Sequence, residues 1–123
     1  GEAAFRGGER RVIARLLDDP PHVLATGGGA FVNDETRALI LEKAVSVWLK
    51  ADLDVLVRRV ARKNNRPLLT GKDPAQVLGD LAEKRYPFYA QANVTVETGD
   101  TQHKAAVDAV IAGLTRHLSE KAA

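Results

Sequence analysis

Two arginines and a run of glycines are the residues best suited to hold a small anion. Arg6 lies three positions before Glu9, a spacing that brings both side chains to one helix face. Glu9 can then hold Arg6 so that its planar fork meets a ligand carboxylate through two hydrogen bonds. The plain alternative is an exposed ion pair contributing a few tenths of a kcal/mol. Gly27-Gly28-Gly29 follows the apolar stretch His22-Val23-Leu24-Ala25-Thr26. Glycines there let backbone approach a ligand closely, or simply make a tight turn. Arg85 sits in Lys84-Arg85-Tyr86-Pro87-Phe88-Tyr89; the aromatic neighbours point to partial burial, and a buried arginine needs an anionic partner. Arg66, in Arg66-Pro67-Leu68-Leu69, is either a solvated loop residue or one that closes over a nucleotide and neutralises charge on a transferred phosphoryl group. His22, His103 and His117 have no metal-ligand spacing and pair with no serine or aspartate in a nucleophile arrangement, so all three are assigned structural or exposed roles.

Composition limits what these residues serve. The 123 residues carry 18 Lys and Arg against 16 Asp and Glu, with 45% hydrophobic and 28% charged positions. Those proportions suit a globular domain with one core. A formal charge of +2 is too mild for nucleic acid, which calls for a basic stripe interleaved with aromatics. The crowding of Arg58, Arg59, Arg62, Lys63 and Arg66 suits a small anionic ligand better than a polymer. There is no cysteine, hence no disulfide framework or thiolate metal site, in keeping with a reducing cytoplasmic setting. Apolar runs are too short to span a membrane. The opening residues are no signal peptide, and because the chain opens without Met it is expected to be a cut or partial product.

The elements that must position these residues follow from periodicity. From Glu9 the apolar residues Val12, Ile13, Leu16 and Leu17 recur at helical spacing until Asp18-Asp19-Pro20-Pro21. Residues 22–26 predict a buried strand. Asn33 caps a helix with Asp34 and Glu35 in its first turn, ending near Lys43. Residues 45–49 predict a second strand, after which Asp52 starts a helix with an apolar stripe of Leu53, Leu56, Val57 and Val60. Residues 64–73 form a loop, and Asp73-Pro74 opens a helix that buries Val77, Leu78 and Leu81. Residues 93–97 predict a third strand, and 104–118 a last helix burying Val107, Val110, Ile111, Leu114 and Leu118. Strands alternating with helices imply a parallel sheet with ligands at the carboxyl ends of its strands.

Phe5-Arg6 with Glu9, Ala25-Thr26-Gly27-Gly28-Gly29-Ala30, Arg66-Pro67-Leu68-Leu69 and Arg85-Tyr86-Pro87-Phe88-Tyr89 occur in that order over essentially the whole chain. The series resembles shikimate kinase. Val47-Trp48-Leu49-Lys50-Ala51 and Arg58-Arg59 are similar to their counterparts there. The resemblance implies a three-layer αβα parallel sheet of the P-loop, nucleoside-monophosphate-kinase-like type, here lacking its N-terminal βαβ portion. It implies one partial domain over 1–123, with the shikimate-binding region and glycine turn at 1–32, the lid loop at 62–73, and the last strand and helix at 93–123.

The activity implied is transfer of the ATP γ-phosphate to the 3-hydroxyl of shikimate, with Mg²⁺, in aromatic amino-acid biosynthesis by a monomeric cytoplasmic enzyme with no membrane partner. By position, Arg6, Gly28, Gly29 and Arg85 contact shikimate and Glu9 supports them. Arg66 is the lid arginine that reaches the phosphates, Arg59 packs against adenine, and Gln102 lies near the base.

The phosphate loop G-x-x-x-x-G-K-[ST] does not occur in these residues: Gly71-Lys72 precedes Asp73, and Arg66 stands where its first glycine belongs. That loop supplies the phosphate cradle, its lysine and a Mg²⁺ hydroxyl ligand. No metal ligand is therefore expected in this chain, and the chain alone is expected to be inactive. The other readings are a non-catalytic shikimate-binding module, or a related kinase acting on another carboxylated polyol. In the family a further strand separates those equivalent to 23–26 and 45–50. Without it, filler, a neighbouring chain or direct pairing of the two strands is expected, because buried unpaired backbone groups are costly.

Overall fold

The computed structural model describes residues 1–62, 73–99 and 103–122. Along the chain it runs α1 (Glu2–Leu17), a 3-10 turn (Ala30–Val32), α2 (Asp34–Lys43), β1 (Val47–Ala51), α3 (Leu53–Arg62), α4 (Pro74–Tyr89), β2 (Val94–Thr98) and α5 (His103–Ala122). Side-chain caps set two of the helix starts. Asn33 Oδ1 accepts from the Thr36 backbone N–H at 3.1 Å and from the Thr36 hydroxyl at 3.2 Å, satisfying an otherwise orphaned donor. Asp73 accepts from Ala75 N–H at 3.2 Å, with Pro74 next in line, where its missing N–H costs nothing.

Helix α1 begins at Glu2, earlier than the apolar pattern from Glu9 predicts. Gly7 and Gly8 hide its first turns, since each costs about 1 kcal/mol relative to alanine in a helix. Two ion pairs on the same turns, Arg6 with Glu2 and Arg6 with Glu9, work against that cost. The α1–α2 pair is laced by Arg10–Glu35 at 2.7 Å and Lys43–Asp18 at 3.1 Å, exposed contacts of at most about 1 kcal/mol each. Ile13 of α1 and Thr36 of α2 are buried, and the two helices pack on each other.

The sheet is β1 paired with β2, parallel, in the register Val47↔Val94 through Ala51↔Thr98. Parallel partners need a long crossover, and α3 and α4 form it, packing on each other. Val94 and Val96 are buried while Thr95 and Glu97 face water, the period of two a half-covered strand requires. Burying each valine contributes about 1.5–3 kcal/mol. Helix α5 closes on β2 so tightly that a Cβ on Gly113 would stand 2.8 Å from Val94 Cγ1. On the other side of the pair, Trp48 meets Tyr86 edge-on at 5.0 Å and Tyr89 at 5.7 Å, joining β1 to the end of α4.

Four expectations need correction. Residues 22–26 are not a strand: they carry no regular structure, and Val23 is 98% exposed. A strand exists only through a neighbour's backbone, and no described residue pairs with this stretch. For the same reason the direct pairing of 23–26 with β1 does not form among the described residues. On α5, Val107, Ile111 and Leu118 are exposed rather than buried, because among the described residues only the stripe facing β2 has a surface to pack on; Leu81 of α4, also expected to be buried, is exposed too. Among the described residues no helix is long and apolar enough to cross a membrane.

Candidate functional site

Arg6 stands on α1 with its guanidinium held from two sides. Nη1 donates to Glu9 Oε1 at 2.7 Å and Nε to Glu2 Oε1 at 2.9 Å. These bonds, Glu9's more than Glu2's, raise its pKa above the ordinary guanidinium value, so the group remains a cation. Its Nη2 turns toward Gly29, where a Cβ would stand 2.8 Å from Arg6 Cζ. Gly29 has φ −76°, a conformation open to any residue. Glycine is needed there because a guanidinium lies against the backbone, not because of the backbone angles.

Arg85 reaches the same turn from α4. A Cβ on Gly28 would stand 2.8 Å from Arg85 Nη1 and equally close to Tyr89 Oη. Tyr89, one helical turn beyond Arg85, donates its hydroxyl to the Gly28 carbonyl at 2.7 Å. Among the described residues no carboxylate pairs with Arg85, so the anion that a half-buried arginine calls for is not supplied by them. Glu2, Arg6, Gly29, Val32, Asn33 and Arg85 line one cavity of about 320 Å³, the lower end of the range for small-molecule sites. Glu9 is 18% exposed and sits behind Arg6 as its support.

Four positions picked out by sequence, Arg6, Gly28, Gly29 and Arg85, thus converge, with Glu9 bracing one of them. Glu2 has no role in the sequence-based reading, and Tyr89 enters it only as an aromatic neighbour of Arg85. Both were within reach of helical spacing, as Glu2 lies four before Arg6 and Tyr89 four after Arg85. Asn33 and Val32 gave no such signal, being brought to the cavity by the 3-10 turn.

A second feature lies past the carboxyl end of β2. Arg59 of α3 donates Nη2 to the Gly99 carbonyl at 2.8 Å, bridging α3 to the residue that follows the strand. Arg66 and Gln102 lie outside the described residues.

Comparison with known proteins identifies the family. The family described as shikimate kinase matches residues 1–115. A shikimate kinase of Caulobacter vibrioides is 74% identical over 114 residues, covering 93% of this chain and 57% of that protein. Those of Paramagnetospirillum magneticum and Brucella canis are 54% and 51% identical, over 96% and 100% of this chain and 60% and 62% of theirs. The chain therefore spans less than two thirds of the curated relatives it matches. The crystal structure of shikimate kinase from Bacteroides thetaiotaomicron superimposes with a TM-score of 0.79 at 30% identity, covering 97% of this chain and 70% of that one. The small parallel sheet with its helical crossover is accordingly part of a P-loop, nucleoside-monophosphate-kinase-like fold, and the chain belongs to the shikimate kinase family.

Proposed function

We propose that this chain carries the substrate-carboxylate site of an ATP-dependent shikimate kinase, which moves the ATP γ-phosphate to the 3-hydroxyl of shikimate. The observation that carries the reading is the meeting of Arg6 and Arg85, from helices far apart in sequence, over Gly28 and Gly29 at one cavity. Shikimate has one permanent negative charge and a ring of hydroxyls. Only the carboxylate can orient it strongly, and two guanidinium groups from separate helices fix both its position and its direction. The flat glycine backbone leaves room for the ring.

Arg59 suits a place beside adenine, because a planar guanidinium stacks on flat rings and the Gly99 carbonyl holds it still. Gln102 would lie near the same base. Arg66, on the lid loop of 62–73, would approach the phosphates. Among the described residues no group of three acidic, His or Cys side chains is placed to hold a metal. Mg²⁺ in kinases takes only one or two protein ligands beside waters and the nucleotide phosphates, so the ion would enter with ATP and would neutralise charge on its phosphates.

The test is calorimetric titration of shikimate into this chain and its Arg85 variants. Arg85→Ala leaves the carboxylate under-compensated in a partly desolvated cavity, with an expected loss of about 2–5 kcal/mol in binding. Arg85→Lys should restore little, as an ammonium cannot reproduce the planar fork. An Arg85→Ala chain, folded by circular dichroism, that binds within threefold of the parent would sink the assignment.

A further inference from the structure

Arg37, on α2, does not line the cavity, yet its side chain is 12% exposed and engaged on every edge. Nη1 donates to the carbonyls of Phe31 and Val32, both at 3.2 Å. Nε donates to Gln91 Oε1 at 3.1 Å, and Nη2 to Asp34 Oδ1 at 2.6 Å. The guanidinium also lies over the Phe88 ring, 4.8 Å from its centroid. Phe31 and Val32 belong to the turn that follows Gly28 and Gly29. Phe88 and Gln91 bracket the end of α4, one turn beyond Arg85. One planar cation therefore ties together the two segments that supply opposite sides of the cavity. The Tyr89–Gly28 hydrogen bond is a further direct tie between them.

A simple surface role does not account for this arrangement. The ion pair with Asp34, whose side chain is 84% exposed, would hold Arg37 on its own helix and contribute little. The two carbonyls, the Gln91 oxygen and the aromatic face lie off that helix. Satisfying them together takes the five-donor fork and flat π-surface of an arginine; a lysine ammonium can serve only one or two of them at once.

We propose that Arg37 is a positioning residue that sets the spacing between the Gly28–Gly29 turn and the Arg85 turn of α4, and so sets the cavity's preference for a carboxylate over an uncharged ligand of the same shape. The identity of the ligand rests on the shikimate reading above; the positioning role does not. Loosening the tie should leave room for the ring but carry the Arg85 guanidinium off its line. Misplacement of about 1 Å can cost up to ~10²-fold where a charged group must be aligned.

The experiment compares the parent chain with Arg37→Lys and Arg37→Ala in two ways. The first is amide hydrogen exchange at Ala30 and Val32, whose N–H groups donate to Gly27 and Gly29 carbonyls at 3.2 and 3.3 Å. Exchange there should quicken in both variants while the β1–β2 amides stay as slow as in the parent. The second is titration with shikimate and with its methyl ester. Affinity for the acid should fall by about tenfold or more and affinity for the ester should stay within about threefold, since alignment penalises chiefly the charged contact.

Unchanged exchange at Ala30 and Val32 would overturn the proposal. So would an equal loss of acid and ester, which marks a merely structural residue. If the parent itself binds acid and ester alike, the shikimate reading fails, and exchange at Ala30 and Val32 alone decides the role of Arg37. Should Arg37→Ala not fold, Arg37→Lys, which keeps the charge and most of the bulk, decides both arms.

Discussion

At the scale of single residues, the cavity depends on what is absent from Gly28 and Gly29 as much as on what Arg6 and Arg85 provide. A methyl group on Gly29 would stand 2.8 Å from the Arg6 Cζ, closer than packed carbons come. The far end of a flexible side chain can move aside, so Gly29→Ala should be tolerated by the fold. The displaced guanidinium, though, is the one proposed to meet the ligand. We expect Gly29→Ala to unfold at a urea midpoint near the parent's and to bind shikimate at least about tenfold more weakly, a loss near 1.4 kcal/mol. A variant that binds normally would show that Arg6 can work from another position. Asn33 separates cap from cavity in a similar way. Asn33→Ala removes the partner of the Thr36 N–H and of the fully buried Thr36 hydroxyl, costing about 1–2 kcal/mol of stability by denaturant titration. Asn33→Asp keeps the cap but puts a negative charge on the cavity wall, so it should spare stability and weaken binding of the acid.

Elements join this molecule through a few tight contacts, and these are where packing and ionisation are exposed to test. Gly113 lets α5 approach β2; Gly113→Ala sets a Cβ 2.8 Å from a β-branched side chain held in the sheet. Neither partner can yield easily, so a loss of about 1–3 kcal/mol is expected, the usual cost of overpacking. If the alanine variant is as stable as the parent, α5 is free to shift along the sheet. At the β1–α4 junction, Tyr86 packs on Trp48, and burial, then Tyr89 and Asp52, raises its phenol pKa above the ordinary value of 10.0. The fold therefore favours the neutral phenol. That contribution is complete below about pH 10, where the unfolded chain is also neutral, and is lost as pH rises through the raised folded pKa. Stability of the parent should fall on this alkaline limb more steeply than that of Tyr86→Phe. Parallel curves for the two proteins would mean that Tyr86 ionises as freely folded as unfolded.

For the whole molecule, the two-stranded sheet and the exposed Val23, Val107 and Ile111 describe elements that bind each other well on one side only. The cavity proposed to hold the carboxylate is assembled despite this, because α1, the 3-10 turn, α2 and the end of α4 pack among themselves without needing more sheet. Phosphoryl transfer is another matter. It rests on positioning and charge stabilisation by a phosphate cradle with its lysine and metal, and that motif does not occur in these residues. A verified 123-residue sample should show no shikimate-dependent ADP release above a mock purification; turnover by such a sample would overturn this. In the intact enzyme, Arg66→Ala should lower kcat by at least roughly 100-fold while KM for shikimate changes little, since an arginine acting on the transition state stabilises little else. Near-normal kcat would return Arg66 to the role of a solvated loop residue.

Local chemistry made much of this legible in advance. Asn33 and Asp73 start helices because their side chains bond to the next turn, and Val94 and Val96 alternate because a strand repeats every two residues; such interactions are contained within a few residues. The motif series placed Arg6, Gly28, Gly29 and Arg85 at one site for a reason that periodicity alone would not supply. Long-range contacts decided the rest. Residues 22–26 have a strand's composition, but a strand is a property of two backbones, and no described neighbour accepts them. Val107, Ile111 and Leu118 have a buried helix's spacing, but burial depends on what another element covers. Nothing in the sequence around Arg37 sets it apart from other helical arginines. Only folding brought Phe31, Val32, Phe88 and Gln91 around it, because a guanidinium's partners are fixed by which segments meet in space and not by which lie near in sequence.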